Sequence, residues 1–296
     1  MKILVGGGSG FIGRHLRRLA EGQGHEVVNI TRKSTNPNDL TWTLLERYGL
    51  PPGVDGVVNL AGKNIMTPTR WTADFKKALI DSRVNTTKIL VESVNSAKVK
   101  PSVFIGCSAV GYYGTEDRGS AVDEDSPPVS EFVSDLCQQW EAAAQVDDPD
   151  VRSVIVRVGL AMGKDGGMLA SMYWPFFFGV GGVIGDGQQW FPWIHVDDVA
   201  GIMLHAINDT NVHGVLNAVA PETATNGHFT NALSTSMRRY APFPVPKCLL
   251  SLTLGNQRAD MMTSSPKILP TRTLASGYSF KYSSLQAACD DCVKWG

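Results

Sequence analysis

Residues 2–13 read Lys-Ile-Leu-Val-Gly-Gly-Gly-Ser-Gly-Phe-Ile-Gly. The apolar residues at the start of this stretch predict a buried parallel strand. The glycines predict a tight turn, and the apolar positions from Phe11 to Leu19 have helical spacing. A strand, a glycine-rich turn and a helix N-terminus form a phosphate-binding unit, because the backbone can approach a pyrophosphate and the helix offers free N–H groups. The sequence therefore predicts a nucleotide site at its start.

The glycines of this turn follow a Gly-x-x-Gly-x-x-Gly spacing, which is not the tighter spacing of many dehydrogenases. This spacing, with Gly-Phe-Ile-Gly at its end, resembles the short-chain dehydrogenase/reductase superfamily, and in particular its extended branch of epimerases and dehydratases. The resemblance implies that five residues of the turn bind the cofactor. They are Gly7, Gly10, Phe11, Ile12 and Gly13.

A second strand is predicted at residues 26–30, and Thr31-Arg32-Lys33 follows it. An NAD site often has an acidic side chain here, which binds the ribose 2′-hydroxyl. A guanidinium suits a 2′-phosphate instead, since it can donate to two oxygens at once. We therefore expect Thr31 and Arg32 to contact the cofactor, and we expect NADP rather than NAD. The alternative is that Arg32 and Lys33 are solvated charges in a loop.

A third buried strand is predicted near residues 57–62. Its place in a β-α-β series, together with the resemblance, implies that Leu60, Ala61 and Gly62 lie close to the adenosine and ribose of the cofactor. A long helix is predicted from residue 71 to residue 97. Alignment with the extended branch puts Arg83 of this helix at a position that faces the cofactor. A cation there would reach the pyrophosphate or ribose, and the alternative is a surface arginine.

A fourth strand is predicted at residues 103–107, and it leads into Ser-Ala-Val-Gly-Tyr-Tyr-Gly at 108–114. This turn resembles the Ser-Ser-x-x-x-Val-Tyr-Gly turn of epimerases and dehydratases, in which the serine hydroxyl bonds the substrate oxygen. The resemblance implies that Ser108 orients the substrate, although alignment on the final Tyr-Gly would move this position to Ala109. Tyr112 or Tyr113 is the candidate proton donor. A loop with two aromatic plugs is the alternative.

The Tyr-x-x-x-Lys pair of the superfamily is missing. In that pair the tyrosine is the general acid or base, and the lysine lowers its pKa and holds the ribose. A helix is predicted at residues 130–144, and alignment on Glu141 puts Val133 and Cys137 at the two positions. No Tyr or Lys occurs from residue 116 to residue 161. Together with the two turns, this departure resembles the atypical 39U branch, whose members are regarded as NADP-dependent oxidoreductases of unknown substrate.

The second half of the chain contains a further predicted strand and loop at residues 154–163. In the extended branch this loop passes the nicotinamide, which implies that Leu160 contacts the cofactor. Residues 193–200, Trp-Ile-His-Val-Asp-Asp-Val-Ala, resemble another epimerase motif. We expect a structural role for His195, with Asp197 or Asp198 capping a helix.

Alternating strands and helices predict an α/β fold with a doubly wound parallel sheet, the Rossmann architecture of extended superfamily members. Residues 1–162 are expected to form the NADP-binding domain, with residues 183–220 completing the sheet. Residues 163–182 and 221–296 are expected to form a smaller lobe on the substrate side.

The chain of 296 residues has a formal net charge of −1, so its composition predicts neither nucleic acid nor an anionic membrane as a partner. Five scattered cysteines favour free thiols and a reducing compartment. Cys289-x-x-Cys292 lacks the second pair that a tetrahedral zinc site needs, so no metal is predicted. The first strand begins at residue 2 and the longest apolar run is broken by Pro and Gly, which predicts a cytoplasmic protein.

Three functions stay open. The first is an NADP(H)-dependent oxidoreductase that acts on a small carbonyl or alcohol substrate. The second is a non-catalytic NADP(H)-binding protein whose cofactor occupancy controls a partner surface. The third, a sugar-nucleotide epimerase or dehydratase, ranks lowest, because those reactions also depend on the missing pair. Extended members are often dimers, which implies a homodimer through the helices at 71–97 and 130–144.

Overall fold

The computed structural model describes residues 1–33, 39–67 and 69–293. Residues 34–38, 68 and 294–296 fall inside the predicted domain ranges but outside the described residues. In chain order, the strands are β1 (Lys2–Gly6), β2 (Glu26–Thr31), β3 (Leu40–Thr41), β4 (Gly56–Asn59), β5 (Val103–Ala109), β6 (Arg152–Val158), β7 (Leu160–Gly163), β8 (Gly166–Gly167), β9 (Trp190–Phe191), β10 (Trp193–His195), β11 (Gly214–Ala218) and β12 (Ala224–Thr225).

The helices in chain order are α1 (Phe11–Gly22), α2 (Trp42–Tyr48), α3 (Ala73–Ser96), α4 (Phe132–Ala143), α5 (Leu169–Phe177), α6 (Val196–Asn208), α7 (Asn226–Met237), α8 (Lys247–Leu254), α9 (Asn256–Thr263), α10 (Thr271–Ala275) and α11 (Leu285–Val293). None of these helices in the described ranges is long and apolar enough to cross a membrane.

Within the described residues, a parallel sheet of seven strands forms the centre of the protein, in the order β11-β6-β5-β4-β1-β2-β3. The chain passes from β1 to β2 on one side and returns to place β4 on the other side of β1. At such a reversal the carboxyl ends of the two central strands open a crevice, and doubly wound sheets bind their ligands there. The predicted fold class is confirmed.

The sheet is covered by helices on both faces. Alternate residues of β1 point in opposite directions, so Ile3 and Val5 pack in one core cluster while Leu4 packs in another. The first cluster includes Leu16 of α1 and Ile202 of α6. Residues of α2 and α3 contribute to the second. A strand buried on both faces accounts for the continuous apolar run of the sequence.

The two long helices expected from the sequence are α3 and α4, and they pack against each other. The hydroxyl of Thr72 caps α3 by accepting a hydrogen bond from the backbone N–H of Phe75 at 3.1 Å. Their role in a homodimer stays a prediction.

A third core cluster lies beside the sheet and joins residues of α5, α7 and α11. Cys289 and Cys292 are buried in it as free thiols, and burial raises the pKa of Cys289 to about 12. Among the described residues there is no group of three or more His, Cys, Asp or Glu side chains that could hold a metal ion. The division into a cofactor domain and a smaller lobe stays a prediction.

Helix α1 is held against its surroundings by the buried carboxylate of Asp197. His15 Nδ1 lies 2.7 Å from Asp197 Oδ1, and Arg18 donates to the same oxygen at 2.6 Å. Lys281 Nζ donates to Asp197 Oδ2 at 2.8 Å. The second ring nitrogen of His15 lies 2.9 Å from Asp165 Oδ1. The bond to His15 and the nearby cations hold the pKa of Asp197 well below its usual range, and the two carboxylates raise the pKa of His15.

The start of α6 differs from the expectation in one detail. His195 itself is the capping residue, because its Nδ1 accepts a hydrogen bond from the backbone N–H of Asp197 at 3.1 Å. Asp198 instead accepts from the backbone N–H groups of Lys281 and Tyr282, at 2.7 and 2.9 Å. The expectation that Asp197 or Asp198 caps the helix is therefore wrong, and both carboxylates bind side chains or backbone of other segments.

We predict that His15→Gln destabilises the protein more in mild acid than in mild alkali. The pKa of His15 is higher in the folded state than its ordinary 6.5, so its contribution is complete below about pH 6.5 and is lost as the pH rises through the folded value. We expect a loss of about 1–3 kcal/mol at pH 6 and a smaller loss at pH 9, measured by thermal denaturation.

The control is Arg17→Gln on the same helix, which breaks the exposed Arg17–Glu21 pair. It should cost below about 1 kcal/mol at both pH values. An equal loss for His15→Gln at pH 6 and pH 9 would contradict the assignment of charge to His15.

Candidate cofactor crevice

The turn between β1 and α1 requires glycine at two positions because backbone approaches backbone. Gly7 has a φ of +76°, and a Cβ on it would lie 2.7 Å from the carbonyl oxygen of Leu60. A Cβ on Gly13 would lie 2.6 Å from the Cα of Gly8. The turn therefore rests directly on the chain that leaves β4. Gly8 was not singled out from the sequence, yet a Cβ there would meet Asn29 Oδ1 at 1.9 Å.

Gly10 lies on the open side of the turn and is the residue that precedes α1. A Cβ on it would meet only the Gly7 carbonyl oxygen within 4 Å, at 3.1 Å. No described side chain caps α1, and its first turn contains no acidic residue. The positive end of the helix and its N–H groups are therefore not compensated by the protein, which fits an anionic group such as a pyrophosphate.

Phe11 and Ile12 begin α1, and both are half-buried. The ring of Phe11 packs against three glycines of the β7–β8 hairpin. A Cβ on Gly166 would lie 2.5 Å from Phe11 Cδ2, and one on Gly167 would lie 2.6 Å from Phe11 Cε1. A Cβ on Gly163 would lie 3.0 Å from Phe11 Cζ. The backbone of Phe11 thus forms the start of α1 at the crevice, and its ring packs on the hairpin.

The end of β2 lies at the same edge of the sheet, since β1 and β2 are parallel neighbours. Arg32 and Lys33 are exposed, and the Thr31 hydroxyl donates to the carbonyl oxygen of Lys33 at 3.0 Å. Among the described residues, Arg32 has no ion-pair partner. The edge therefore presents unneutralised positive charge beside the glycine turn.

The chain that leaves β4 is fixed by a buried hydrogen-bond chain. The backbone N–H of Leu60 donates to the Gly6 carbonyl at 2.8 Å. Asn59 Oδ1 accepts from the backbone N–H of Ala61 at 3.0 Å, and Asn59 Nδ2 donates to Thr87 Oγ1 at 2.7 Å. These bonds hold the backbone that leads to Gly62 opposite the glycine turn.

Arg83 reaches the same place from α3. A Cβ on Gly62 would lie 3.2 Å from Arg83 Cζ. The guanidinium donates to the carbonyl oxygens of Leu79 at 3.2 Å and Lys63 at 3.0 Å. It lies 5.1 Å from the centre of the Trp140 ring, and burial lowers its pKa. The structure thus brings Arg83 to the end of β4. Its predicted contact with a cofactor stays a prediction.

Ser108 lies at the end of β5, but its hydroxyl points into the protein. Only 1% of the residue is exposed, and Oγ donates to Glu141 Oε1 at 2.6 Å. Arg157 holds the same carboxylate through two bonds of 2.8 Å, from Nε to Oε1 and from its second terminal nitrogen to Oε2. The Ser108 hydroxyl therefore donates its proton in a hydrogen bond to Glu141. The predicted contact with a substrate stays a prediction.

The two tyrosines differ sharply in accessibility. Tyr113 is fully buried, its hydroxyl donates to Asn217 Oδ1 at 2.8 Å, and it accepts from Arg157 at 2.9 Å. Burial raises the pKa of Tyr113 to about 12. Tyr112 is half-buried, and its ring centre lies 3.4 Å from Arg157 Cζ. This geometry does not support Tyr113 as a proton donor to a ligand, and Tyr112 is the more exposed of the two residues.

Glu141 and Arg157 organise this region, and sequence reasoning gave neither a role in it. Arg157 could have been noticed, because it is a charged residue inside the apolar β6 run and is 3% exposed. Glu124 and Asn217 extend the same buried network, since the backbone N–H of Asn217 donates to Glu124 Oε1 at 3.0 Å. Their partners come from distant segments, so no local pattern indicates them.

Leu160 opens β7 and is half-buried beside this region, with its N–H donating to the Pro192 carbonyl at 2.8 Å. Val133 and Cys137, at the positions of the missing pair, are buried and face Gly111. A Cβ on Gly111 would lie 3.5 Å from Val133 Cβ and 3.8 Å from Cys137 Sγ. Helix α4 therefore presents an apolar surface where the superfamily has its acid/base pair.

Comparison with known proteins places this architecture in a family. The model of the NAD dependent epimerase/dehydratase family matches residues 3–218. The chain belongs to this family. A domain of unknown function, DUF1731, matches residues 245–292. The two matches cover most of the chain, from the glycine turn to α11.

Two relatives extend over nearly all of this epimerase-family chain. The human epimerase family protein SDR39U1 is 43% identical over 295 residues, which are 99% of this chain and 100% of the relative. The Arabidopsis thaliana homologue, named chloroplastic, is 35% identical over 97% of this chain and 85% of its own length. The predicted resemblance to the 39U branch is confirmed, whereas the cytoplasmic location stays a prediction.

A crystal structure of the human epimerase family protein SDR39U1 with NADPH superposes on this chain with a TM-score of 0.96. The two chains are 42% identical, and the superposition covers 99% of each. The crevice described above therefore belongs to a fold that carries NADPH in that human protein.

We predict that alanine acts differently at two glycines of the turn. Gly13→Ala should destabilise the protein by about 1–3 kcal/mol, because the methyl group overlaps the backbone of Gly8. Gly10→Ala should destabilise the protein less, because its φ of −73° suits any residue and its methyl group would have one tight contact, with the Gly7 carbonyl oxygen at 3.1 Å. Its methyl group should nevertheless obstruct an approaching pyrophosphate and weaken NADPH binding by about tenfold or more.

Thermal denaturation and NADPH titration by fluorescence measure the two effects. The variants control for each other, since both add one methyl group to the same turn. Normal NADPH affinity for Gly10→Ala would show that no phosphate approaches the start of α1.

Proposed function

We propose that this protein is an NADP(H)-dependent oxidoreductase that acts on a small carbonyl or alcohol substrate. The observation that carries the proposal is the uncompensated start of α1 behind Gly10, beside the exposed Arg32, which has no ion-pair partner among the described residues. An anionic dinucleotide with a 2′-phosphate satisfies both features. The NADPH in the crystal structure of the human relative supports the same choice of cofactor.

Three parts of the crevice would hold the cofactor. The N–H groups that follow Gly10 would bind the pyrophosphate, and Arg32 with Thr31 would bind the 2′-phosphate. The chain from Leu60 to Gly62 would lie along the adenosine and ribose, because small residues there allow close approach. Leu160, at the start of β7, would border the nicotinamide. When bound, the cofactor supplies or accepts the hydride of the reaction.

Tyr112 is the residue we propose as proton donor or acceptor for the substrate oxygen. It is the more exposed of the two tyrosine residues, and its ring packs on the Arg157 guanidinium. Arg157 is itself held by two hydrogen bonds to Glu141, so the position of the Tyr112 ring depends on Glu141 through Arg157. Ser108 shares the Glu141 carboxylate and fixes the end of β5, which is its part in the proposed site.

We predict that Arg32→Ala reduces the preference for NADPH over NADH. Removal of a charge-assisted contact to the 2′-phosphate should weaken NADPH binding by about 10- to 100-fold and leave NADH binding unchanged. Parallel titrations with the two nucleotides measure the ratio. Arg47→Ala on α2 removes another exposed cation and should change neither affinity. An unchanged ratio for Arg32→Ala would refute the assignment of NADP through this residue.

The alternative function, a non-catalytic NADP(H)-binding protein, draws on a different observation. Two of the three candidate catalytic hydroxyls, those of Ser108 and Tyr113, are bonded inside the protein. The α4 surface at Val133 and Cys137 carries no acid or base. Cofactor occupancy would then act on a partner surface rather than on a substrate.

Turnover decides between the two functions. We predict NADPH consumption with at least one member of a panel of aldehydes, ketones and quinones. Tyr112→Phe should lower that rate by about 100-fold or more, because the proton donor is lost, while NADPH affinity stays unchanged. Ser108→Ala should also lower the rate, through the loss of its bond to Glu141.

Tyr240→Phe is the control, because it removes the hydroxyl of an exposed tyrosine. Full activity of Tyr112→Phe would contradict its role as proton donor. Tight NADPH binding with no consumption across the panel would support the binding protein instead.

A further inference from the structure

Six large apolar side chains around the end of α5 are exposed to solvent. We call this surface the aromatic patch, and its members are Trp174, Phe177, Phe178, Val180, Tyr240 and Phe243. The exposed fraction is 57% at Trp174, 69% at Phe178 and 89% at Tyr240. Two segments supply the patch: residues 174–180 at the end of α5, and residues 240–243 after α7.

Close contacts join the two segments into one surface. A Cβ on Gly182 would lie 1.8 Å from the carbonyl oxygen of Phe243, so the two backbones touch. Arg239 Nε donates to the carbonyl oxygen of Phe177 at 3.1 Å, and the guanidinium carbon lies 5.3 Å from the centre of the Phe177 ring. The patch is therefore continuous and does not consist of scattered apolar residues, which would need no explanation.

The rings at the end of α5 pack on one another at the surface. The rings of Trp174 and Phe178 are stacked, with centres 5.9 Å apart, and Phe177 meets them edge-on at 5.7 and 5.4 Å. Leu169 and Phe176 of the same helix are buried in the third core cluster. A helix that is apolar on all sides is normally covered on all sides. The exposed side of α5 therefore indicates a binding surface.

The charge around the aromatic patch has one sign. Residues 166–185 contain no charged residue, and residues 238–247 contain Arg238, Arg239 and Lys247 but no acid. Lys247 is paired with Asp260 at 2.7 Å. Arg238 and Arg239 are exposed, and neither has a carboxylate partner in the described part of the chain. Exposed aromatic rings beside unpaired arginines suit a surface that is apolar and anionic.

We propose that the aromatic patch docks this protein on the surface of a membrane that contains anionic lipids. The rings would enter the boundary between headgroups and acyl chains, where amphipathic aromatic side chains are favoured. Arg238 and Arg239 would bind lipid phosphates. Since no helix in the described ranges is long and apolar enough to cross a membrane, the protein would lie on the bilayer. The inference does not rest on the proposed cofactor site.

A second copy of the chain is the competing occupant of the patch. In a twofold symmetric dimer the patch of one copy meets the same patch of the other. Arg238 and Arg239 would then approach their own equivalents, and residues 238–247 offer no acid to pair with them. The charge therefore favours an anionic bilayer. The net charge of −1, which predicts no such membrane as a partner, averages over this local excess of positive charge.

Co-sedimentation of the full chain with lipid vesicles tests the proposal. We expect binding to vesicles of phosphatidylcholine mixed with phosphatidylserine, weaker binding to phosphatidylcholine alone, and a loss of this difference at high salt. Trp174→Ser and Phe178→Ser should each weaken binding to the mixed vesicles by about tenfold or more, because a ring no longer leaves water. Arg238→Gln should weaken binding to the mixed vesicles by about fivefold and leave binding to phosphatidylcholine unchanged.

Matched controls come from another part of the surface. Tyr48→Ser removes an exposed ring and Lys98→Gln removes an exposed cation, and neither should change vesicle binding. Thermal denaturation of each variant shows whether it folds. Trp174→Phe adds a spectroscopic test with a smaller change in structure. It should still bind, but most of the quenching of tryptophan fluorescence by brominated lipid should be lost, because Trp174 is the tryptophan that enters the bilayer.

The outcomes separate a membrane from the other occupants. Binding of the unmodified protein to neither kind of vesicle would overturn the proposal. Full vesicle binding by folded Trp174→Ser and Phe178→Ser would overturn it too, since another surface would then be responsible. A dimer in solution that Phe178→Ser dissociates, without vesicle binding, would assign the patch to a second copy instead. None of these measurements involves NADPH, so their failure would leave the proposed function standing.

Discussion

The contact of the glycine turn with the chain leaving β4 is the constraint on which the crevice depends. At Gly7 the two backbones are so close that even a methyl group would overlap the Leu60 carbonyl. This contact sets the distance between the first helix and the neighbouring strand end, and it leaves the start of α1 uncovered. Asn59, bonded to Thr87, holds the other side of the contact in place. The shape of the site is therefore built from backbone, and side chains add charge to it.

Charge is distributed unequally around this backbone frame. The acidic groups near it are already engaged: Asp197 by His15 and Lys281, and Glu141 by Arg157. Two cations at the carboxyl edge, Arg32 and Arg83, have no carboxylate partners among the described residues. Because Asp197 and Glu141 already bind other cations, they do not neutralise Arg32 or Arg83. The edge of the crevice is therefore positive, although the chain as a whole carries a net charge of only −1. Such an edge attracts an anionic ligand without making the protein basic.

The sequence predicts the fold and the glycine turn well, because both are local. An apolar run followed by glycines and a helical pattern needs no information from elsewhere, and α3 and α4 end within two residues of their predicted limits. The inner site is different. The resemblance of the turn gives Ser108 and Tyr113 roles toward a substrate, but in the structure their hydroxyls bond Glu141, Arg157 and Asn217, which come from later segments. The turn motif alone does not reveal that these distant groups engage the hydroxyls inside the protein.

The ring of Phe11 has a further consequence. It stands at the first residue of α1 and lies under the glycines of the β7–β8 hairpin. Any larger residue at Gly166 would overlap the ring, because a Cβ there would lie 2.5 Å from Phe11 Cδ2. If the hairpin lifted away, it would expose aromatic surface to water, at a cost of up to about 2 kcal/mol. A hairpin from the middle of the chain thus packs directly on the first residue of the helix that follows the glycine turn, so a change in one of the two segments disturbs the other.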